Sequence, residues 1–346
     1  MQYITKLQAI LKDTYKLQAQ RLVGIAYFIT AAIKTKSIDT GQLALAMNKK
    51  VELKSNKKRL KRLYQEITLN PMKLLDKKKK ISLSLDRTEW DYGGLTNNLL
   101  TIAVGFEKCA IPIQVTDLGK CGSSNNKERV SAIEDLRKIV NPEDVNVLTA
   151  DREFASREFI AALIKSDFRF AIRIKADALI KHDGVTKPAR EWFKAYQRKR
   201  LHGATVYGAK INICGRRLLR HQPSKEEYLI IVTNLEPDVG LELYKARWCI
   251  ETMFGVLKTR GFNLENTKVT ISVRLENLML LVGVAVLWAL QVGLWVVQRE
   301  GLETRADGTP IRGLFRCGFD YLRGLFLTHE AKECVWDDAI RVLSPT

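Results

Sequence analysis

Residues 278–297 read LMLLVGVAVLWALQVGLWVV, an uncharged run long enough to cross a bilayer as a helix. Such a run has two physical solutions. It spans a membrane, or it forms a helix buried on all sides in a large core. Gln291 interrupts the run, no second run of this kind occurs, and the rest of the chain has the polar–apolar patterning of a soluble protein. The buried helix is therefore the expectation, with no membrane partner. A chain of 346 residues with 46% hydrophobic content can supply the surrounding core. A shorter apolar run, LVGIAYFITAAI (22–33), follows an amphipathic charged stretch and does not have the layout of a signal peptide.

The net charge of +19 is unevenly placed. Residues 1–80 carry 19 Lys and Arg against 5 Asp and Glu, or +14, which leaves +5 for the rest. A cationic block of that size points to a polyanion. Because it lies in helical patterns rather than in a tail, nucleic acid is favoured over a membrane surface. The six cysteines and four histidines show no zinc-ligand spacing and no triad-like setting, and nothing suggests a disulfide framework. A P-loop and a GxGxxG fingerprint are both absent, so no nucleotide cofactor is expected.

Helices are expected at about 3–20 and 21–34. A short helix capped by Asp39 or Thr40 then precedes a second helix in SNKKRLKRLYQEI (55–67), with Ser55 as its cap. A short helix followed by a cation-rich one is the helix-turn-helix arrangement, in which the second helix enters the major groove. Lys57, Lys58, Arg59, Lys61 and Arg62 are the candidates for DNA contacts.

DKKKK (76–80) reads as a linker or a sheet edge, and then the period changes. ISLSLD (81–86) alternates with period two, and two further strands follow around Glu107-Lys108. The order continues as a helix (125–140), a strand (145–151), a helix (156–166) and a fifth strand (168–175). Three strands followed by alternating helices and strands predict a mixed α/β sheet with flanking helices. Residues 176–236 break the alternation with strands at 205–220 and 227–234 and an Asp-Gly turn in KHDGVTK (181–187), which reads as a β-rich insertion. Helices at about 239–260, 275–298 and 314–326 complete the chain.

Asp86 and Asp151 stand at the expected ends of the first and fourth strands, which can be neighbours in such a sheet. A carboxylate there points into a crevice. Glu251, on the helix at 239–260, can reach the same place. Three converging carboxylates repel one another unless a cation is shared, and hard oxygen donors suit magnesium. Glu89, Asp91 and Glu153 are rivals for the metal-binding role. Each acid also has an ordinary reading: Asp86 in a turn-rich DRTEWDYGG, Asp151 as a helix cap, Glu251 paired with Arg247 four residues earlier. In YKARWCIETMFGVLK (244–258), Tyr244, Arg247, Glu251 and Lys258 fall within about 60° of one another on an ideal helix.

SLDRTEW, TADREF and YKARWCIETMFGVLK resemble the DDE transposases of bacterial insertion sequences. More narrowly they are similar to the insertion-sequence-four family, whose Tyr-Arg-Glu-Lys signature is matched by Tyr244, Arg247, Glu251 and Lys258. LFRCGFDYLRGL (314–325) also resembles that family's C-terminal segment. The resemblance implies a ribonuclease-H-like core in which Asp86, Asp151 and Glu251 bind two magnesium ions, with manganese as a substitute. Tyr244, Arg247 and Lys258 would grip the strand at the element end, Trp248 would support a base near the cut, and Trp192 is a candidate wedge. Relatives cut the donor strands, some through a hairpin, and the freed 3′-hydroxyls attack target DNA. They act as homodimers on paired ends. The expected organisation is a helical DNA-binding domain (1–75), a catalytic core in two parts (76–175 and 239–346) and the insertion (176–238). The expected location is the bacterial cytoplasm, on the nucleoid when DNA-bound. Two other functions remain open at this point: a non-catalytic DNA-binding protein derived from a transposase, and a host ribonuclease-H-like nuclease.

Overall fold

The structure is a computed structural model that describes residues 2–48, 50–75, 80–218, 227–327 and 333–344. Most of the DKKKK stretch and the end of the strand expected at 205–220 lie outside the described residues.

Four helices come first: α1 (Gln2–Thr14), α2 (Ala19–Thr35), α3 (Thr40–Ala46) and α4 (Leu53–Glu66). The first is shorter than its pattern predicts. Tyr15 turns inward and donates its hydroxyl to the Asn70 carbonyl at 3.0 Å, where the chain breaks before α2. Asp39 caps α3 by accepting from the Gln42 N–H. Ser55 is not a cap. It lies inside α4, and the α3–α4 turn is held instead by buried Asn56, whose amide donates to the carbonyls of Ala44 and Asn48, both at 3.2 Å.

The sheet begins with β1 (Ile81–Tyr92), β2 (Leu95–Phe106) and β3 (Cys109–Asp117). It continues through α5 (Asn126–Leu136), β4 (Val145–Ala150), α6 (Arg157–Lys165) and β5 (Phe170–Arg173). Pro112 lacks an N–H and is tolerated because β3 is an edge strand, with a register shift beside it. The chain then adds β6 (Leu179–His182), β7 (Val185–Pro188), α7 (Ala189–Trp192), β8 (Lys199–Val206), β9 (Ala209–Leu218) and β10 (Glu227–Thr233). The single strand expected at 205–220 is a hairpin. Tyr207 and Gly208 both take positive φ (50° and 76°), the requirement of a tight two-residue turn. The strand order is β3-β2-β1-β4-β5-β10-β9-β8-β6-β7. The first five strands, with β1, β4 and β5 parallel and β2 and β3 antiparallel to their neighbours, make the ribonuclease-H-like arrangement. The strands of 176–238 do not form a sheet of their own. β10 pairs antiparallel with β5 and satisfies an edge that would otherwise be open.

After α8 (Pro237–Leu243) and α9 (Trp248–Gly255) comes the long apolar helix α10 (Ser272–Glu300), followed by α11 (Leu314–Leu327) and α12 (Glu333–Arg341). α10 is buried through its centre against β3, α2, α4 and α11, so its composition is that of a core helix. Fully buried Trp288 donates its indole N–H to the Ala339 carbonyl at 2.6 Å, so α12, a helix absent from the sequence expectations, satisfies the one polar atom of that side chain. α10 and α11 cross with their backbones in contact: a Cβ on Gly318 would lie 1.8 Å from the Ala289 carbonyl oxygen. One continuous hydrophobic core runs from Ile4 to Leu343, so helices α1–α4 share it with the sheet.

Candidate active site

β1 and β4 pair in parallel with Leu85 opposite Ala150, which sets Asp86 beside Asp151 in register. β1 does not end at Asp86, however. It runs on to Tyr92 because β2 continues its ladder on the other side, so DRTEWDY is strand rather than turn. The crevice opens where β4 stops and leaves β1 without its parallel neighbour. With side chains alternating, Ser84 and Asp86 share one face of β1, as Thr149 and Asp151 share that of β4. The Ser84 and Thr149 hydroxyls lie 2.9 Å apart; Thr149 Oγ1 donates to the Leu83 carbonyl at 3.1 Å and Ser84 donates to Thr149, with the Ala246 carbonyl 3.4 Å from Ser84 Oγ. These two buried hydroxyls, which sequence reasoning missed, join β1 to β4 beneath the acids, and Ser84 also meets the Tyr244–Glu251 segment above them. Their signal was the polar half of the ISLSLD alternation.

That segment is not one regular helix. Tyr244–Arg247 is a 3-10 turn, Trp248–Gly255 is α-helical, and Val256–Arg260 is π-helical. Changing turn size changes the angular advance per residue, so the expected single stripe is broken. Arg247 lies over the acids: its guanidinium is 3.6 Å from Asp86 Oδ2 and pairs with Glu251. Tyr244 is buried beneath it, with its ring 5.9 Å from the guanidinium carbon. Its hydroxyl is buried without a hydrogen-bond partner among the described residues. Lys258 sits further away, donating to the Glu89 carbonyl at 3.2 Å and pairing with Glu265 at 2.9 Å.

Burial pushes the Asp86 carboxyl up to about 6, and Glu153 and Asp151 add to the rise; the Arg87 N–H, donating to Oδ1 at 2.8 Å, and Arg247 oppose it. The folded state holds this proton more tightly than the unfolded chain, so stability falls as pH rises from about 3.8 to about 6 and stays low above that. Asp86→Asn removes the fall. The variant is expected to gain on the order of 1–3 kcal/mol over the parent at pH 8, and nothing at pH 3.5, in chemical denaturation without divalent cations. A loss of stability at pH 8 would contradict the assigned cause.

Two of the rival acids are otherwise engaged: Glu89 pairs with Arg87 at 2.5 Å and Asp91 accepts from Thr96 at 2.6 Å. Among the described residues Asp151 Oδ1 is buried without a hydrogen-bond partner, and so is Glu153 Oε1, 3.5 Å from Arg87 Nε, so Glu153 keeps its place beside the pair as a rival ligand. An orphaned carboxylate oxygen beside a second carboxyl raised by burial fits a hard divalent cation. The third carboxylate is turned toward Arg247, and among the described residues no three His, Cys, Asp or Glu side chains group closely enough to hold a metal.

A family model described as "Transposase DDE domain" matches residues 114–288, from within β3 to within α10. The chain belongs to the transposase DDE domain family. The match takes in Asp151 and Glu251, while Asp86 lies ahead of it. No curated protein matches the sequence. Among solved structures, a cryo-EM structure of the piggyBac transposase synaptic complex with hairpin DNA is 9% identical, with 95% of this chain and 77% of that one covered at a TM-score of 0.44. Endonuclease V from Bacillus subtilis is 11% identical, with 59% of this chain and 90% of that one covered at a TM-score of 0.29.

The other residues expected to meet DNA are dispersed in this transposase. Lys57, Lys58, Lys61 and Arg62 are exposed on α4 and Arg59 is half-buried. They do not form one face: Lys57 and Lys61 line one cavity, while Arg59 and Arg62 line another with Arg21 and Glu66. Trp248, beside Arg247, is 65% exposed. Trp192 is not a free wedge. It donates to the Ile180 carbonyl at 3.3 Å and lies under Lys187 and Lys199, whose ammonium groups are 4.1 and 5.2 Å from its ring.

Proposed function

We propose that this chain binds the terminal inverted repeats of an insertion sequence and catalyses metal-dependent strand cleavage and strand transfer, as in cut-and-paste transposition. The observation that carries the reading is the in-register Asp86–Asp151 pair, with Arg247 and Glu251 packed on the same face. Asp86, Asp151 and Glu251 would hold the divalent metal, magnesium with manganese as a substitute, two ions per site. When bound, such ions activate an attacking water or 3′-hydroxyl and stabilise the leaving oxygen.

The protein's own residues do the positioning. Arg247 reaches both Asp86 and Glu251, so its guanidinium is placed to bond a phosphate of the cut strand. Buried Tyr244 keeps Arg247 at that height. Lys258 supplies a second cation further along the strand, and the exposed ring of Trp248 offers a stacking face for an unpaired base. The helical segment 1–75, through Lys57, Lys58, Arg59, Lys61 and Arg62, would grip the element end, with 176–238 as the insertion between the two parts of the core. A homodimer would match the two-fold symmetry of inverted repeats. The place of action would be the bacterial cytoplasm, on the nucleoid.

The test is incubation of the protein with labelled element-end duplex, magnesium and a target plasmid. Cutting at the element boundary, with 3′-ends joined to the plasmid, is the expected result. Binding without cutting would make the chain a DNA-binding protein only. Cutting restricted to RNA–DNA hybrids or branched DNA would make it a nuclease of another kind.

A further inference from the structure

A cleft of about 320 Å³ opens between α4 and the segment that enters α10, lined by Lys57 and Lys61 on one wall and by Lys268 and Arg274 on the other. Lys57 and Lys61 are four residues apart, so both project from one face of α4. Among the described residues the only acid in the lining is Asp39. It lies 3.8 Å from the Lys268 ammonium, whose side chain is 68% exposed, so the pair is weak and solvent-screened. Arg274 donates to a neutral group, Gln65 Oε1, at 2.9 Å. Four cations against one carboxylate leave a concentrated positive potential in a groove open to solvent.

The two walls are tied together. Asn277 of α10 donates to the Tyr64 carbonyl at 2.8 Å and accepts from Thr68 at 2.8 Å. Phe262 accepts from the Ile38 N–H at 3.1 Å, and Asn263 donates to the Lys36 carbonyl at 3.1 Å. The far wall is also tied to β1 three residues beyond Asp86, because Lys258 donates to the Glu89 carbonyl and pairs with Glu265, three residues before Lys268. Cations on both walls at a fixed offset from the acids suit an extended polyanion better than a small one.

We propose that this cleft grips the phosphate backbone of one DNA duplex, with Lys57 and Lys61 on one side and Lys268 and Arg274 on the other. It thereby fixes the distance between the DNA held by α4 and the point of cutting. The proposal deepens the transposase reading and rests on it for the identity of the polyanion, but its test does not depend on cutting.

The test is equilibrium binding of the full-length protein to a duplex of arbitrary sequence between ~50 and ~200 mM salt, because phosphate contacts are sequence-independent. Each phosphate contact contributes about 0.9 to the slope of log affinity against log salt. Lys57→Ala/Lys61→Ala and Lys268→Ala/Arg274→Ala are each expected to lower that slope by about 2, and the combined variant by about 4. Lys268→Ala alone, at an exposed side chain, should lower it by about 1 without changing the melting temperature, which keeps the test valid if the Arg274 variant folds poorly. A parent-like slope in the Lys268 and Arg274 variants would overturn the proposal. If those slopes fall while the parent never cuts element ends, the cleft stands and the transposase reading fails. If the parent cuts and the slopes do not move, the reverse holds.

Discussion

Asp86→Asn and Asp151→Asn are each expected to lower element-end cleavage by about 1,000-fold or more, with DNA binding within about three-fold of the parent. Each substitution keeps the shape of the side chain and removes the charge that a hard cation requires. A 1,000-fold loss corresponds to ~4 kcal/mol of transition-state stabilisation, a reasonable share for an ion acting on both attacking and leaving oxygens. Asp151 is the sharper case, because its Oδ1 is buried with no hydrogen-bond partner among the described residues, so the substitution breaks no protein contact there. Glu251→Gln should follow them in activity while also releasing Arg247, its partner here. Glu89→Gln and Asp91→Asn, whose carboxylates are satisfied by Arg87 and Thr96, should stay near the parent rate. Melting curves give a readout independent of activity: magnesium or manganese should raise the melting temperature of the parent and not of Asp151→Asn. Cleavage that survives both Asp substitutions would remove the two aspartates from the mechanism.

Gly318→Ala is expected to cost roughly 3 kcal/mol or more, and Gly318→Val to prevent folding. The added Cβ would meet the Ala289 carbonyl oxygen at 1.8 Å and the Gly293 nitrogen at 2.4 Å, both backbone atoms that cannot rotate away. The opposing helix, α10, lies at the centre of the core and cannot retreat without opening contacts with β3, α2 and α4. Gly324→Ala, on the same helix α11, is the control. A Cβ there meets nothing within 4 Å among the described residues, so the better helix propensity of alanine should leave stability equal or slightly higher. Thermal or urea unfolding of the two variants decides the point. Equal stabilities would mean that α10 and α11 do not cross this closely in solution.

Much of the fold was legible because its signals are local. Alternation in ISLSLD, Asp39 ahead of α3 and the Asp183-Gly184 turn act within a few residues, and the structure has strand, helix and hairpin there. The apolar run of α10 was readable as a core helix because a chain with a single such run and abundant apolar residues elsewhere can bury it. Local signals misled where long-range pairing took over. DRTEWDYGG has turn composition, yet β2 holds all but its two glycines as strand. Ser55 has the character of a cap, yet Asn56 and the packing of α3 begin α4 earlier. The Tyr207-Gly208 hairpin was missed because tyrosine rarely takes positive φ.

By itself the sequence determined which residues are the candidates. Asp86, Asp151 and Glu251 stand out by type and strand or helix context, and Arg247 and Lys258 by the signature they share with Glu251. Only the tertiary structure decided how they meet. The parallel register of β1 and β4 sets the two aspartates side by side, and the change from 3-10 to α to π turns puts Arg247 over them and Lys258 away. The packing of α4 against the start of α10 brings Lys268 and Arg274 opposite Lys57 and Lys61. The physical reason is the same in each case. Side-chain type and local period are properties of a few neighbouring residues, whereas register, helix approach and the facing of two cationic walls depend on segments about 60 to more than 200 residues apart, which only the shared core brings together.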